Sequence, residues 1–227
     1  METRATNTRR KFIGTLALGT AASITAPIVI GATPLRESTN YMTTGINDAD
    51  AWFKNIKGSH RVVFDAAEPN SAFPLIWTWG FYATNNATGS PDNDVTAVCV
   101  LRHNAMAFAL DDNLWKKYKL GETFKIQDNR TNAPATRNPY YKATDGDFPL
   151  NGVDGIKKMQ ERGAMFCVCN LALTVYSGFA AKSMGLDPET VRKEWVSGVL
   201  PGVQIVPAGI WALERAQKQG CSYIFAG

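Results

Sequence analysis

"RGAMFCVCNLAL", residues 162 to 173, holds the pattern that decides the fold: a glycine, a short apolar run, then an asparagine opening a segment of helical periodicity. Ala164 to Val168 reads as a strand and Leu171 to Met184 as a helix, with Gly163 the left-handed stop of a preceding helix, Val153 to Arg162. Toward the C-terminus follow strand Val203 to Val206, helix Pro207 to Gln219 and strand Cys221 to Phe225, with Pro207 suited to a first helical turn. Toward the N-terminus, "HRVVFD" (60 to 65) is a strand, Leu75 to Thr84 a helix, and "VTAVCVL" (95 to 101) an apolar strand of the kind covered on both faces. This alternation predicts an α/β fold, a mostly parallel sheet of about five strands flanked by helices on both faces.

The remaining segments are less regular. Asn104 opens "NAMAFALDDNLWKKY", whose apolar spacing is helical, Thr123 to Ile126 reads as a short strand, and Asp187-Pro188-Glu189 signals the start of an extra helix. Between 127 and 151 the chain is polar and turn-rich without a period, which fits a lid, a binding loop or an interface arm as well as a surface insertion. No internal repeat is present.

The N-terminus carries Thr8-Arg9-Arg10-Lys11-Phe12 ahead of an apolar stretch from Ile13 to Ile30 that is broken by Gly14, Gly19, Thr20 and Pro27. This is the pattern of a twin-arginine export signal over residues 1–32, and it predicts a periplasmic or otherwise exported protein; the alternative is a membrane span, against which the polar residues and Pro27 count. A 33–59 extension and one domain over 60–227 would then follow. Most of the formal net charge of +4 comes from Arg4, Arg9, Arg10 and Lys11, opposed only by Glu2, so the remaining chain is nearly neutral and has no run of cations for nucleic acid or an anionic membrane. Four cysteines in 227 residues do not make a disulfide scaffold.

In open parallel sheets ligands collect beyond the carboxyl ends of the strands. That singles out Arg102-His103-Asn104, Cys169-Asn170 and Pro207-Ala208-Gly209. Cys169 is the candidate for chemistry, because a thiol at a helix mouth is drawn toward its reactive thiolate form, and Asn170 is the expected cap of that helix. Cys167, Cys99 and Cys221 read as packing; a 167–169 disulfide would be strained, and with two histidines and no paired Cys-x-x-Cys elements the spacing gives little support for a metal. His103 reads either as a polar strand-end residue or as an acid, base or ligand contact, and His60 as surface. Asp111 and Asp112 read as a solvated helix face, and Trp77, Trp79, Phe81 and Tyr82 as core, subunit contact or a stacking wall. No cofactor motif appears.

"VLRHNAM" (100 to 106), "RGAMFCVCNLAL" and "PGVQIVPAGIWALERAQKQGCSYI" (201 to 224) together resemble the DsrE/DsrF-like family of sulfur-relay α/β proteins. The resemblance implies that Cys169 matches the family's cysteine that accepts a sulfane sulfur as a persulfide, with Asn170 beside it. It also implies assembly as a trimer or hexamer. His103, Asn104, Asn170, Pro207 and Gly209 are the expected ligand-binding positions around Cys169, for a small sulfur-containing ligand or with the cysteines merely structural in an oligomeric assembly module.

Overall fold

A computed structural model of the chain describes residues 49–227; the expected export signal, 1–32, and residues 33–48 of the expected extension lie outside the described residues. Five strands form one sheet: β1 (His60–Ala66), β2 (Val95–Leu101), β5 (Met165–Cys169), β6 (Val203–Val206) and β7 (Ser222–Phe225). Their order is β6-β5-β2-β1-β7, and every neighbouring pair is parallel, with Val62 opposite Ala97, Val100 opposite Cys167 and Cys167 opposite Gln204. The parallel sheet expected from the alternation is therefore present.

Both faces are covered, and residue alternation sorts the side chains between them. Val62, Phe64, Cys99, Leu101, Phe166 and Val168 belong to one core, with α2 (Phe73–Ala87), α5 (Ile156–Arg162), α6 (Asn170–Met184) and α7 (Pro188–Ser197). Val63, Val98, Val100, Cys167 and Val206 belong to the other, with α8 (Gly209–Lys218) and the short α1 (Ala49–Trp52) and following turn, where Phe53 packs edge-on against Trp211 at 5.7 Å. Central strand β2 buries all seven residues, which is why it reads as unbroken apolar sequence. Each fully buried valine or leucine there contributes about 1.5–3 kcal/mol of hydrophobic stabilisation before entropy is counted.

Local signals set the helix ends. Gly163 (φ 107°) and Gly185 (φ 65°) close α5 and α6 in the left-handed region, and Asp187 caps α7 by accepting the Thr190 N–H at 2.7 Å. Two readings are corrected between β2 and β5. The run from Asn104 is a 3-10 segment, His103–Ala109, separated from α3 (Asp112–Lys117) by extended Leu110, which bridges Val199 while Asp111 caps α3 through the Leu114 N–H. Thr123 closes α4 (Leu120–Thr123) rather than opening a strand; the short strands that follow are β3 (Gln127–Asp128) and β4 (Ala133–Pro134), paired antiparallel.

The long 127–151 run is ordered by a clasp. Arg137 binds both Asp128 (3.2 Å) and buried Asp147 (2.5 Å), Arg130 adds a second contact to Asp147 at 3.0 Å, and Asn138 donates to the Phe108 and Leu110 carbonyls. Burial pulls the Asp147 carboxyl upward, but hydrogen bonds from Arg137 and Thr144 outweigh it and hold the group below the usual range. Asp112 is exposed on α3, as read from the sequence, and its carboxylate also accepts the Asn138 N–H at 2.7 Å.

Candidate functional site

The chain builds the sheet outward from β1 through β2 and β5 to β6, then returns to the far edge for β7. The helix after β5 covers one face and the helix after β6 the other. Adjacent strands whose connections leave to opposite faces open a crevice at their carboxyl ends. An open cavity of about 360 Å³ occupies it, lined by Arg102 and His103 after β2, Cys169, Leu171, Ala172, Val175, Tyr176 and Phe179 of the β5–α6 unit, and Ala208, Gly209 and Ile210 at the mouth of α8.

Cys169 closes β5 and is itself the cap of α6, its Sγ accepting the Ala172 N–H at 3.4 Å. The expected cap, Asn170, is instead the first helical residue, fully buried, and its Oδ1 accepts from Arg192 of α7. Asn170 is not among the residues lining the cavity; it anchors α7 to the start of α6, together with Thr174, whose hydroxyl accepts Arg192 Nε at 3.1 Å. Burial lowers the Arg192 guanidinium from its ordinary value. Cys169 is 6% exposed, enough to line the cavity.

The floor on the α8 side is set by Arg102. Its Nε and Nη2 bind Asp65 at 2.6 and 3.0 Å, and Tyr223 of β7 donates to the same buried carboxylate at 2.8 Å. Hydrogen bonding to Asp65 raises the Arg102 guanidinium further. The side chain thus fixed runs over Gly209, where an added Cβ would stand 2.6 Å from Arg102 Cβ and 2.8 Å from Cδ. Gly209 is there because the arginine needs the space. Pro207 lies before α8 and does not line the cavity; the helix starts at Gly209 with uncapped Ala208 ahead of it, two residues later than the sequence indicates.

His103 sits on the rim with a left-handed backbone (φ 47°), an uncommon placement for a residue with a side chain. Asn104 donates through Nδ2 to Glu68 at 2.7 Å and accepts the Tyr176 hydroxyl at 2.6 Å. With its proton committed there, the Tyr176 oxygen accepts from His103 Nδ1 at 2.9 Å, and His103 Nε2 stands 3.4 Å from the second Glu68 oxygen. Asn104 therefore orients the rim from behind and does not line the cavity itself.

All four cysteines are free thiols. Cys99 and Cys167 are fully buried, and burial pushes the Cys99 thiol up to about 12 and Cys167 well above its ordinary range; Cys221 rises to about 11 for the same reason. Among the described residues no three His, Cys, Asp or Glu side chains stand where they could share a metal ion, and no helix is long and apolar enough to cross a membrane. His60 is exposed, bonded to Ser90. In the aromatic helix Tyr82 is buried with its hydroxyl on the Val95 carbonyl at 3.2 Å, while Trp77 stays 37% exposed. A larger hollow of about 510 Å³ lies between residues 141–155 and α5, with no cysteine or histidine in its wall; no residue of the 127–151 run lines the Cys169 cavity.

Sequence reasoning passed over Glu68, Tyr176, Val175, Phe179 and Ile210. Tyr176 stands seven residues beyond Cys169, two helical turns along the same face, and that spacing was the available signal. Neither a family model nor a curated protein matches the chain. Among solved structures it is similar to MTH1491, a protein of unknown function from Methanobacterium thermoautotrophicum, at 17% identity and a TM-score of 0.40, over 74% of this chain and 99% of that one.

Proposed function

We propose that the chain is an exported DsrE-like protein that binds a small sulfur species at the strand ends and carries a sulfane sulfur on Cys169. One observation carries the reading: Cys169 lines an open cavity at the mouth of α6, while Cys99 and Cys167 are sealed in the sheet. A thiol there, though only 6% exposed, borders a cavity large enough for a small donor and has the positive end of a helix dipole beside the sulfur. Arg102 and the His103–Tyr176 pair supply polar groups at one end of the same cavity. The test is intact-mass and peptide mass spectrometry after exposure to inorganic polysulfide. The wild type gains one sulfur at Cys169 and Cys169→Ser does not; equal labelling of both proteins rejects the carrier.

A second reading, a homo-oligomeric assembly module, is favoured by the edge strand β7, which pairs only with β1 among the described residues. Tyr223, Ile224 and Phe225 on β7 are 46, 42 and 57% exposed, on a strand with no proline or charge to discourage pairing. Light scattering decides it. A trimer or hexamer at micromolar concentration supports assembly, and a monomer there rejects it.

A further inference from the structure

We infer that the sulfur species taken at this site is organic, a low-molecular-weight persulfide whose carbon chain lies on the apolar wall of α6. The inference rests on the carrier reading and narrows its substrate. Leu171, Val175 and Phe179 follow one another at i, i+4 and i+8 along α6, and Ile210 faces the same cavity from α8. They are 43, 42, 62 and 70% exposed. Aliphatic and aromatic side chains gathered on one cavity wall and left to water mark a place that gains by being covered with apolar matter. An inorganic polysulfide or thiosulfate has no carbon to offer and would leave that wall wet. The volume, about 360 Å³, suits a small organic molecule.

The polar groups sit where the reacting end of such a molecule would lie. Cys169 is at the α6 mouth, Arg102 lies across Gly209, and α8 begins without a side-chain cap, so its first N–H groups have no partner within the helix. In the transfer the Cys169 thiolate attacks the terminal sulfur of R–S–SH. A new S–S bond forms on Cys169, the donor's S–S bond breaks, and its electron pair leaves on R–S⁻. The proton lost by the Cys169 thiol ends on that leaving thiolate, giving Cys169–S–SH and R–SH, and no oxidant or reductant is consumed. The departing anion meets Arg102 and the uncapped α8 mouth.

The experiment measures initial rates of sulfur addition to Cys169 by mass spectrometry, using alkyl persulfides from methyl to hexyl and inorganic polysulfide. Each added methylene should raise the second-order rate constant between about twofold and fourfold, the upper figure being full burial of one CH2. Phe179→Ser and, on the other helix, Ile210→Ser should flatten that dependence, with melting temperatures close to wild type because both side chains are exposed. Labelling of wild-type Cys169 that is independent of chain length overturns the inference and leaves the carrier intact. Absence of labelling by every donor removes the carrier and the inference together. A flat dependence in a wild-type oligomer that Phe179→Ser converts to monomer gives the apolar wall to a second copy of the chain, and also overturns it.

Discussion

Replacing Cys169 and Cys167 one at a time by serine separates a sulfur that faces a cavity from one locked in the core. At 169 the sulfur accepts the Ala172 N–H, and serine is a better helix cap than cysteine. Cys169 borders the cavity as well as the core, and serine keeps the cap, so Cys169→Ser should stay within about 0.5 kcal/mol of wild type, whereas Cys169→Ala, which loses the cap, should cost about 1 kcal/mol. At 167 the side chain is fully buried between Val100 and Gln204 neighbours and the α8 face, and among the described residues its sulfur makes no hydrogen bond. An unsatisfied buried hydroxyl costs about 1–3 kcal/mol, so Cys167→Ser should be the most destabilised of the three. Urea unfolding followed by circular dichroism, comparing midpoints at constant m, gives the order directly. A Cys169→Ser loss as large as that of Cys167→Ser would mean that the 169 sulfur is an enclosed packing group, and the sulfur-handling reading would fail with it.

Gly209→Ala should lower the melting temperature by a few degrees. Overpacking against Arg102 costs about 1–3 kcal/mol, alanine's helix preference returns at most about 1 kcal/mol, and each kcal/mol is worth about 2–4 °C in a domain of this size; a rise in differential scanning fluorimetry would show that Arg102 is not fixed there. Stability should fall on both sides of neutral pH. Asp92 and Glu194, held low by hydrogen bonds from Arg162 and Lys117, and Asp147 in its clasp, contribute stability that is present above the ordinary carboxylate range and lost as pH drops through their lower folded values; Arg137→Ala should shrink that acid limb in urea titrations. Cys99 and Cys221, raised from 9.0 to about 12 and about 11 by burial, keep their protons when folded, so stability falls as pH climbs past about 9, where the unfolded thiols ionise, and Cys99→Ala should soften that limb.

Most of the sheet was legible because strand and helix periods are local. β2 announced itself as a strand buried on both faces, Gly163 marked a helix end that needs positive φ, and Asp187-Pro188 marked the start of α7. Cys169, His103 and Gly209, chosen because they stand at or just past strand ends, are among the residues that line the cavity. Asn170 and Pro207 were selected by that rule too, yet neither lines the cavity. The rule finds the loop and cannot choose among its residues.

By itself, the sequence determined the alternation of elements, the parallel sheet, and the loop at which chemistry is conceivable. Only the tertiary structure decided which residues meet there. Arg192, 22 positions along the chain, takes the Asn170 side chain and leaves capping to Cys169. Asp65 and Tyr223, 158 positions apart, hold Arg102 across Gly209. The stripe Leu171, Val175, Phe179 has the spacing of a core face, but the core lies elsewhere and the stripe faces a cavity, because periodicity records that side chains share a face without recording what the crossovers place against it.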